Sequence, residues 1–150
     1  MGWYFAYGSN MNPARMASRG LLFDLMLPGR LDGFALCFNK RAVDRPGHAY
    51  ANIRQQPGAV VEGVLYRLHR LDEIEKMDPF EGTPIYYSRE RLTVQTAQGP
   101  QPAWVYIANP ALWQEGLMPS REYLDHLLAG KAHLSAAYWA ALAAVATHPD

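Results

Sequence analysis

The sequence predicts a β-barrel or a strongly curved β-sheet accompanied by a few short helices. The first two-thirds of the 150-residue chain contain six runs of aromatic and β-branched residues, joined mostly by short connections. A sheet built from βαβ units would need a helix between successive strands, and helical signals are few. A closed or strongly curved sheet is therefore favoured.

The six strand candidates are short apolar runs bounded by turn residues. The second of them follows Gly33, which we expect to end a turn. In the fifth, Leu92 and Val94 alternate with polar residues, as in a strand with one buried face. The predicted strands are residues 3–7, 34–38, 48–54, 60–68, 86–96 and 102–108.

Helices are predicted where capping residues or helical spacing occur. Asn12 followed by Pro13 is a favourable N-cap and first helical position. Pro79 should end the second helix, because the residue before a proline is pushed out of the α region. The segment 109–119 has no clear period and is interpreted as loop. The predicted helices are residues 12–16, 71–77 and 120–130, and a last one from Ser135.

Composition and charge are typical of a soluble, single-domain protein. Fourteen basic and fourteen acidic residues cancel, so no overall field attracts nucleic acid or an anionic membrane. The single cysteine, Cys37, excludes an intrachain disulfide and a cysteine-rich zinc site, and it is interpreted as a small buried residue. No signal peptide is visible, and the most apolar run, 134–146, is too short to span a bilayer. We expect residues 1–150 to form one cytoplasmic domain of undetermined oligomeric state.

No common catalytic or cofactor motif stands out from the residues themselves. The histidines lack a metal-ligand spacing, and the glycines form neither a Walker loop nor a dinucleotide fingerprint. Ser9 does not lie in a Gly-x-Ser-x-Gly elbow. A Ser-His-Asp set stays open, because its members can come from any part of a chain.

Glu81 is the most interesting carboxylate of the acidic segment 72–81. We expect Asp72, Glu73 and Glu75 to lie on a solvated helix face. Glu81 follows the expected stop at Pro79 and precedes Gly82, so it should leave the helix on a tight turn beside an aromatic residue. Desolvation there would raise its pKa toward that of a general base. The alternative is an exposed loop glutamate.

Four sequence motifs follow one another along the chain in an order that is typical of one protein family. They are FAYGSNM at 5–11, MDPFEG at 77–82, YYSRERLTV at 86–94 and PSREYLDHLLAG at 119–130. Together they resemble the γ-glutamylcyclotransferase-like family. Its hallmarks are a Tyr-Gly-Ser-Asn loop, an essential Glu before a Gly, a Tyr entering the next strand and a late Pro-Ser-x-x-Tyr helix. The resemblance runs from about residue 3 to residue 130.

This resemblance implies an α+β fold, a small mixed β-barrel with a few flanking helices, with the loop and the Glu facing one cavity. Family members release 5-oxoproline and an amine from γ-glutamyl amides, without cofactor or metal. For Tyr87 and Tyr123, packing with the hydroxyl at the surface is the alternative to lining the cavity. The implied site residues are Glu81 as acid/base and Tyr7, Gly8, Ser9, Asn10, Tyr87 and Tyr123 around the substrate.

The loop's backbone suggests its role. Gly8 permits close approach and an unusual φ, and the amides of Gly8, Ser9 and Asn10 can converge on an anion ahead of the helix at Pro13. That anion is either the substrate's α-carboxylate or the oxyanion on its γ-carbonyl.

Three functions follow as hypotheses. The first is the cyclising enzyme acting on a small γ-glutamyl substrate, and the second is a non-catalytic binding or regulatory module of the same fold. The third is an amidase that uses Ser9. Around the cavity, the basic residues Lys40, Arg41 and Arg45 either recognise an extra substrate carboxylate or form a solvated loop, and Trp113 either covers the site or packs.

Overall fold

Five strands close into a barrel in the computed structural model, which describes residues 2–149. The order around the barrel is β1-β3-β2-β4-β5, with β1 parallel to β5 and the other neighbours antiparallel. The predicted α+β mixed barrel with a few flanking helices is confirmed. The strands are β1 Trp3–Ala6, β2 Phe23–Arg41, β3 Ala49–Leu68, β4 Tyr87–Thr96 and β5 Gly99–Ala108.

The strands β2 and β3 are much longer than the sequence predicted. β2 runs through Gly33 without interruption, and the predicted strands 48–54 and 60–68 belong to the single strand β3. Gly33 has a φ of +81° and lies where the register with β3 shifts. The expected turn at Gly33 is therefore wrong: the glycine forms an irregularity inside a continuous strand, where a positive φ is needed without a chain reversal.

The described residues form four α-helices, and the predicted starts of three of them, at residues 12, 120 and 135, are confirmed. The side chains of Asn12, Ser120 and Ser135 each accept a hydrogen bond from a backbone N–H in the first turn. Short 3-10 helices occupy Ser9–Met11, Glu73–Lys76, Pro110–Leu112 and Lys131–His133. The α-helices are α1 Pro13–Ser18, α2 Asp78–Glu81, α3 Arg121–Leu128 and α4 Ala136–Ala143.

The predicted helix at 71–77 is wrong, and so is its stop at Pro79. Residues Glu73–Lys76 make one 3-10 turn, and Pro79 lies in the first turn of α2, where its missing N–H needs no partner. Gly82 follows α2 with a φ of +61°, a left-handed cap that suits glycine. Glu81 therefore ends a short helix, which fixes its backbone more firmly than a loop would.

Glu73 also differs from the prediction of a solvated face. Its side chain is 1% exposed and pairs with Lys76 Nζ at 2.7 Å. The carboxylate also accepts a hydrogen bond of 2.9 Å from the backbone N–H of Leu22. The Glu73 carboxylate therefore connects the segment before α2 with the residues that precede β2. Burial alone would raise the pKa of Glu73, but these bonds hold it below the usual range.

The core lies on both sides of β1. Tyr4 and Ala6 pack with the residues beneath the helices, whereas Phe5 and Tyr7 pack inside the barrel. This alternation follows from the period of two along a strand. β1 is therefore buried on both faces up to its last residue, Ala6, and only Tyr7 separates it from Gly8. Within residues 2–149, no helix is long and apolar enough to cross a membrane.

We predict that Gly63→Ala lowers the free energy of unfolding by at least about 2 kcal/mol, because overpacking a tight interior is costly. A Cβ at Gly63 would overlap the carbonyl oxygen of Ala6 and lie 2.8 Å from Cζ of Phe5. Urea unfolding measures the change. Val60→Ala, on the same strand at a 42% exposed position, is the control and should change stability by less than about 0.5 kcal/mol. Equal effects of the two substitutions would contradict the close approach of β1 and β3.

Candidate active site

A cavity of about 500 Å³ opens where the end of β1, the helices α1 and α2, and the ends of β2 and β4 meet. Its volume is in the range of small-molecule sites. The structure brings together every site residue that the resemblance implied. The cavity is lined, among others, by Tyr7, Gly8, Ser9, Asn10, Glu81, Tyr87 and Tyr123.

The loop after β1 turns at once into the 3-10 helix Ser9–Met11. The N–H of Met11 donates to the carbonyl of Gly8 at 3.0 Å, which closes this turn. Gly8 has a φ of −112°, so the expectation of an unusual φ is wrong. Close approach explains the glycine instead, since a Cβ there would lie 3.2 Å from the hydroxyl oxygen of Tyr123.

The side chain of Asn10 is buried and connects three parts of the site. Its Nδ2 donates to the hydroxyl of Tyr4 at 3.0 Å and approaches Oε1 of Glu81 at 3.4 Å. Its Oδ1 accepts a hydrogen bond of 3.1 Å from Arg19, and its backbone carbonyl accepts one of 2.6 Å from Tyr66. Sequence reasoning considered only the backbone amide of Asn10, because these side-chain partners lie up to 71 residues away.

Glu81 is held where its charge is disfavoured by burial and favoured by nearby cations. Burial raises its pKa to about 7, while Arg19, Arg15 and Lys40 act in the opposite direction. The residue stays partly open to the cavity. A carboxyl group with this pKa is present in both protonation states near neutral pH, so it can accept a proton and later return it.

Arg15 in α1 and Arg19 directly after that helix lie on the cavity wall, and sequence reasoning missed both. Arg15 and Arg19 are four residues apart, a spacing that puts both on one side of a helical turn. The guanidinium of Arg19 lies 5.1 Å from the centroid of the Phe80 ring. Within residues 2–149, Nε of Arg15 is buried without a hydrogen-bond partner. The i, i+4 spacing of Arg15 and Arg19, directly after the loop, could have indicated from the sequence that both face the same side.

Of the three basic residues considered in the sequence, only Lys40 lines the cavity. Arg41, the last residue of β2, and Arg45 are exposed and do not line the cavity. Lys40 is buried at the end of β2 because its neighbours on that wall are tyrosine rings. Burial lowers the pKa of its ammonium group.

The hydroxyls of Tyr87 and Tyr123 both bind the backbone of Ala51. Tyr87 donates to its carbonyl at 2.8 Å, and Tyr123 accepts from its N–H at 3.0 Å. The alternative, hydroxyls at the outer surface, is therefore wrong. Burial raises the pKa of both hydroxyls, so they stay protonated near neutral pH. The hydroxyl of Tyr123 lies beside Gly8 of the loop. The O–H of Tyr87 is used on the Ala51 carbonyl, whereas that of Tyr123 can donate toward the cavity.

The helix α2 is anchored to the barrel three residues before Glu81. Asp78 accepts a hydrogen bond of 2.6 Å from the hydroxyl of Tyr106 and pairs with Nε of Arg89 at 3.1 Å. The guanidinium of Arg89 in turn lies 4.4 Å from the ring centroid of Trp104. The position of Glu81 thus depends on β4 and β5, which sequence reasoning did not connect with it.

Trp113 and Cys37 lie outside the cavity lining. The indole N–H of Trp113 donates to the carbonyl of Ala108 at 2.8 Å, so the side chain packs against the barrel. Cys37 is half-buried, and burial raises the pKa of its thiol to about 11. Among residues 2–149, no group of three or more His, Cys, Asp or Glu side chains is placed to hold a metal ion.

We predict that Glu81→Gln stabilises the fold increasingly as the pH rises. The carboxyl is protonated in both states below pH 4.5, and above its folded pKa of about 7 the native state must hold a buried carboxylate. At 1.36 kcal/mol per pKa unit, the gain should approach about 3 kcal/mol at pH 8. Urea unfolding between pH 5 and pH 8 measures it, with the exposed Glu75→Gln as control. A gain independent of pH, or one shared by the control, would contradict the raised pKa.

Comparison with known proteins identifies the fold and the family of this chain. The family described as "Gamma-glutamyl cyclotransferase, AIG2-like" matches residues 4–125. A solved structure named gamma-glutamyl cyclotransferase is 25% identical, with a TM-score of 0.85 over 99% of this chain and 90% of that one. An uncharacterized protein from Homo sapiens is also 25% identical, with a TM-score of 0.84 and the same coverage.

A more distant likeness shows the fold alone. The gamma-glutamyl cyclotransferase specific to glutathione from yeast is 16% identical, with a TM-score of 0.66 over 94% of this chain and 93% of that one. Among curated protein sequences, no significant match was found. Because the family match spans most of the sequence, the chain belongs to the gamma-glutamyl cyclotransferase, AIG2-like family.

Proposed function

We propose that the protein is a γ-glutamylcyclotransferase-type enzyme that needs no cofactor. It releases 5-oxoproline and a free amine or amino acid from a γ-glutamyl amide. The observation that carries this proposal is Glu81, a carboxyl group with a pKa of about 7 in a cavity of small-molecule size, in a chain of this family. The proposed partner is a small molecule and the proposed location is the cytoplasm. The balanced charge of the chain provides no overall field that would attract nucleic acid or an anionic membrane.

The nucleophile in this reaction is the substrate's own α-amine. It attacks the γ-carbonyl carbon, the new C–N bond closes a five-membered ring, and the bond to the leaving amine breaks. Holding the substrate folded back supplies proximity, which is worth up to about 7–11 kcal/mol in well-oriented intramolecular reactions. A cavity of about 500 Å³ leaves room for the folded γ-glutamyl group together with its leaving half.

Glu81 moves the proton that this ring closure releases. As a carboxylate it accepts a proton from the substrate's ammonium group, and as a carboxylic acid it donates a proton to the leaving nitrogen. Such transfers contribute about 10²–10⁴-fold to rate when the pKa lies near the working pH. The amide of Asn10, 3.4 Å from Oε1, keeps that oxygen at the loop side of the cavity.

The loop binds an anion of the substrate through its backbone. Two features of the loop support this role. The residues Gly8, Ser9 and Asn10 line the cavity, and they begin a helical turn, whose first N–H groups lack partners within the turn. The anion is the α-carboxylate or the oxyanion on the γ-carbonyl. Tyr87 and Tyr123, which also line the cavity, limit the space for the substrate chain.

We predict that Glu81→Gln lowers kcat by at least about 10²-fold, because amide replaces the group that moves the proton. The assay measures 5-oxoproline from a panel of γ-glutamyl amino acids and γ-glutamyl amines. Glu75→Gln removes the same charge from an exposed position near α2 and should retain wild-type turnover. Full activity of Glu81→Gln would exclude the mechanism. Binding of the panel without any 5-oxoproline from the wild type would favour the non-catalytic module.

We predict that Ser9→Ala lowers kcat by no more than about tenfold, because Ser9 positions the substrate through its backbone. Loss of a true serine nucleophile costs about 10⁶-fold in well-studied hydrolases. Mass spectrometry of the reaction should detect 5-oxoproline and no covalent acyl-enzyme. Release of glutamate in place of 5-oxoproline, together with an acyl group on Ser9, would instead identify an amidase.

A further inference from the structure

Lys40 is a buried cation on the cavity wall. It is 4% exposed, and its ammonium lies 4.6 Å, 5.4 Å and 6.0 Å from the ring centroids of Tyr86, Tyr50 and Tyr87. Within the described residues 2–149, it forms no ion pair. The rings offset part of its desolvation, but their faces leave the N–H donors free to bind an anion in the cavity.

The charges around the cavity do not balance. Three cations line it, Arg15, Arg19 and Lys40, against two acids, Asp44 and Glu81. A γ-glutamyl amine carries one α-carboxylate and one α-ammonium, so its charges cancel. A γ-glutamyl amino acid carries a second carboxylate on its leaving half and is a net anion. The surplus of positive charge in the cavity complements the second kind of substrate.

The cations stand on two different walls. Arg15 and Arg19 lie on the α1 side next to the loop, where Arg19 also contacts Asn10 and Phe80. Lys40 lies at the end of β2, among rings that belong to β3 and to the start of β4. Two separated positive groups can hold the two carboxylates of one substrate, one on the folded γ-glutamyl group and one on the leaving half.

We propose that Lys40 binds a carboxylate on the leaving half of the substrate, so that the enzyme prefers γ-glutamyl amino acids or peptides over γ-glutamyl amines. This inference rests on the proposed cyclisation and names the substrate class of the same site. It makes Lys40 a specificity-determining residue. Lys40 does not itself transfer a proton, and its effect on the pKa of Glu81 is the same for both kinds of substrate.

The test compares γ-glutamyl-alanine with γ-glutamylethylamide, which differ only in the carboxylate of the leaving half. The wild type should show at least a tenfold higher kcat/KM for γ-glutamyl-alanine. Lys40→Met should lower kcat/KM for γ-glutamyl-alanine by about ten- to hundredfold, as expected for one charge-assisted hydrogen bond, and that for the ethylamide by less than about threefold. Lys40→Arg, which keeps the charge, should recover part of the preference.

Arg41→Met is the matched control, because Arg41 is the next residue and is exposed outside the cavity lining. It should keep the wild-type preference, and thermal unfolding should show that each variant is folded. An unchanged preference in Lys40→Met would overturn the proposal. An equal loss on both substrates would overturn it as well, since Lys40 would then support the site's structure only.

A binding experiment separates this inference from the proposed reaction. Glutaryl-alanine and glutarylethylamide lack the α-amine and cannot cyclise, and calorimetry measures their affinities. The wild type should bind glutaryl-alanine at least about tenfold more tightly, and Lys40→Met should bind both alike. If this difference appears while no γ-glutamyl compound yields 5-oxoproline, the reaction is wrong and the role of Lys40 stands. Equal affinities in the wild type would overturn the role of Lys40.

Discussion

The hydrogen bonds of the Asn10 side chain are the constraint on which the site depends. One buried amide donates toward Tyr4 and Glu81 and accepts from Arg19, while the backbone carbonyl of the same residue accepts from Tyr66. Only a group with both donors and an acceptor can satisfy these partners at once. A carboxylate here would place a second negative charge beside Glu81. The loop, the arginine and the acid/base candidate are therefore held in a fixed relation by a single residue.

The reactivity of Glu81 arises from opposing effects that come from different parts of the fold. Burial between the barrel and α2 disfavours its charge, whereas α1 and the end of β2 supply cations that favour it. Neither effect alone leaves a carboxyl group poised near neutral pH. Asp78 adds to this balance directly, because its negative charge raises the pKa of Glu81, and its bonds to Tyr106 and Arg89 also hold α2 against the barrel. Because α2 carries both Asp78 and Glu81, the position of this short helix against the barrel also determines the charges that surround Glu81.

Sequence reasoning succeeded where the deciding interactions are local. The cap at Ser120 is predictable because its hydrogen bond spans three residues, and the resemblance carried by four ordered motifs identified the family. The predictions at Gly33 and Pro79 were wrong because each residue type occurs in two kinds of structure. A glycine with positive φ occurs in turns and in strand irregularities, and pairing with β3 determines which one forms. A proline can follow a helix or lie in its first turn, and the packing of the local turn determines which one forms. The cavity cations Arg19 and Lys40 could not be assigned, since their burial depends on partners brought together only by barrel closure.

Barrel closure itself joins the two ends of the sheet, with Tyr4 of β1 opposite Trp104 of β5 and the hydroxyl of Tyr7 bound to the carbonyl of Tyr106. Joining segments about 100 residues apart carries an entropic cost that only the complete set of non-local contacts offsets. The cavity walls come from both sides of this junction, so the binding site exists only in the cooperatively folded chain. A ligand bound there is consequently linked to global unfolding, and it protects the amides of the whole barrel from hydrogen exchange rather than those of the loop alone.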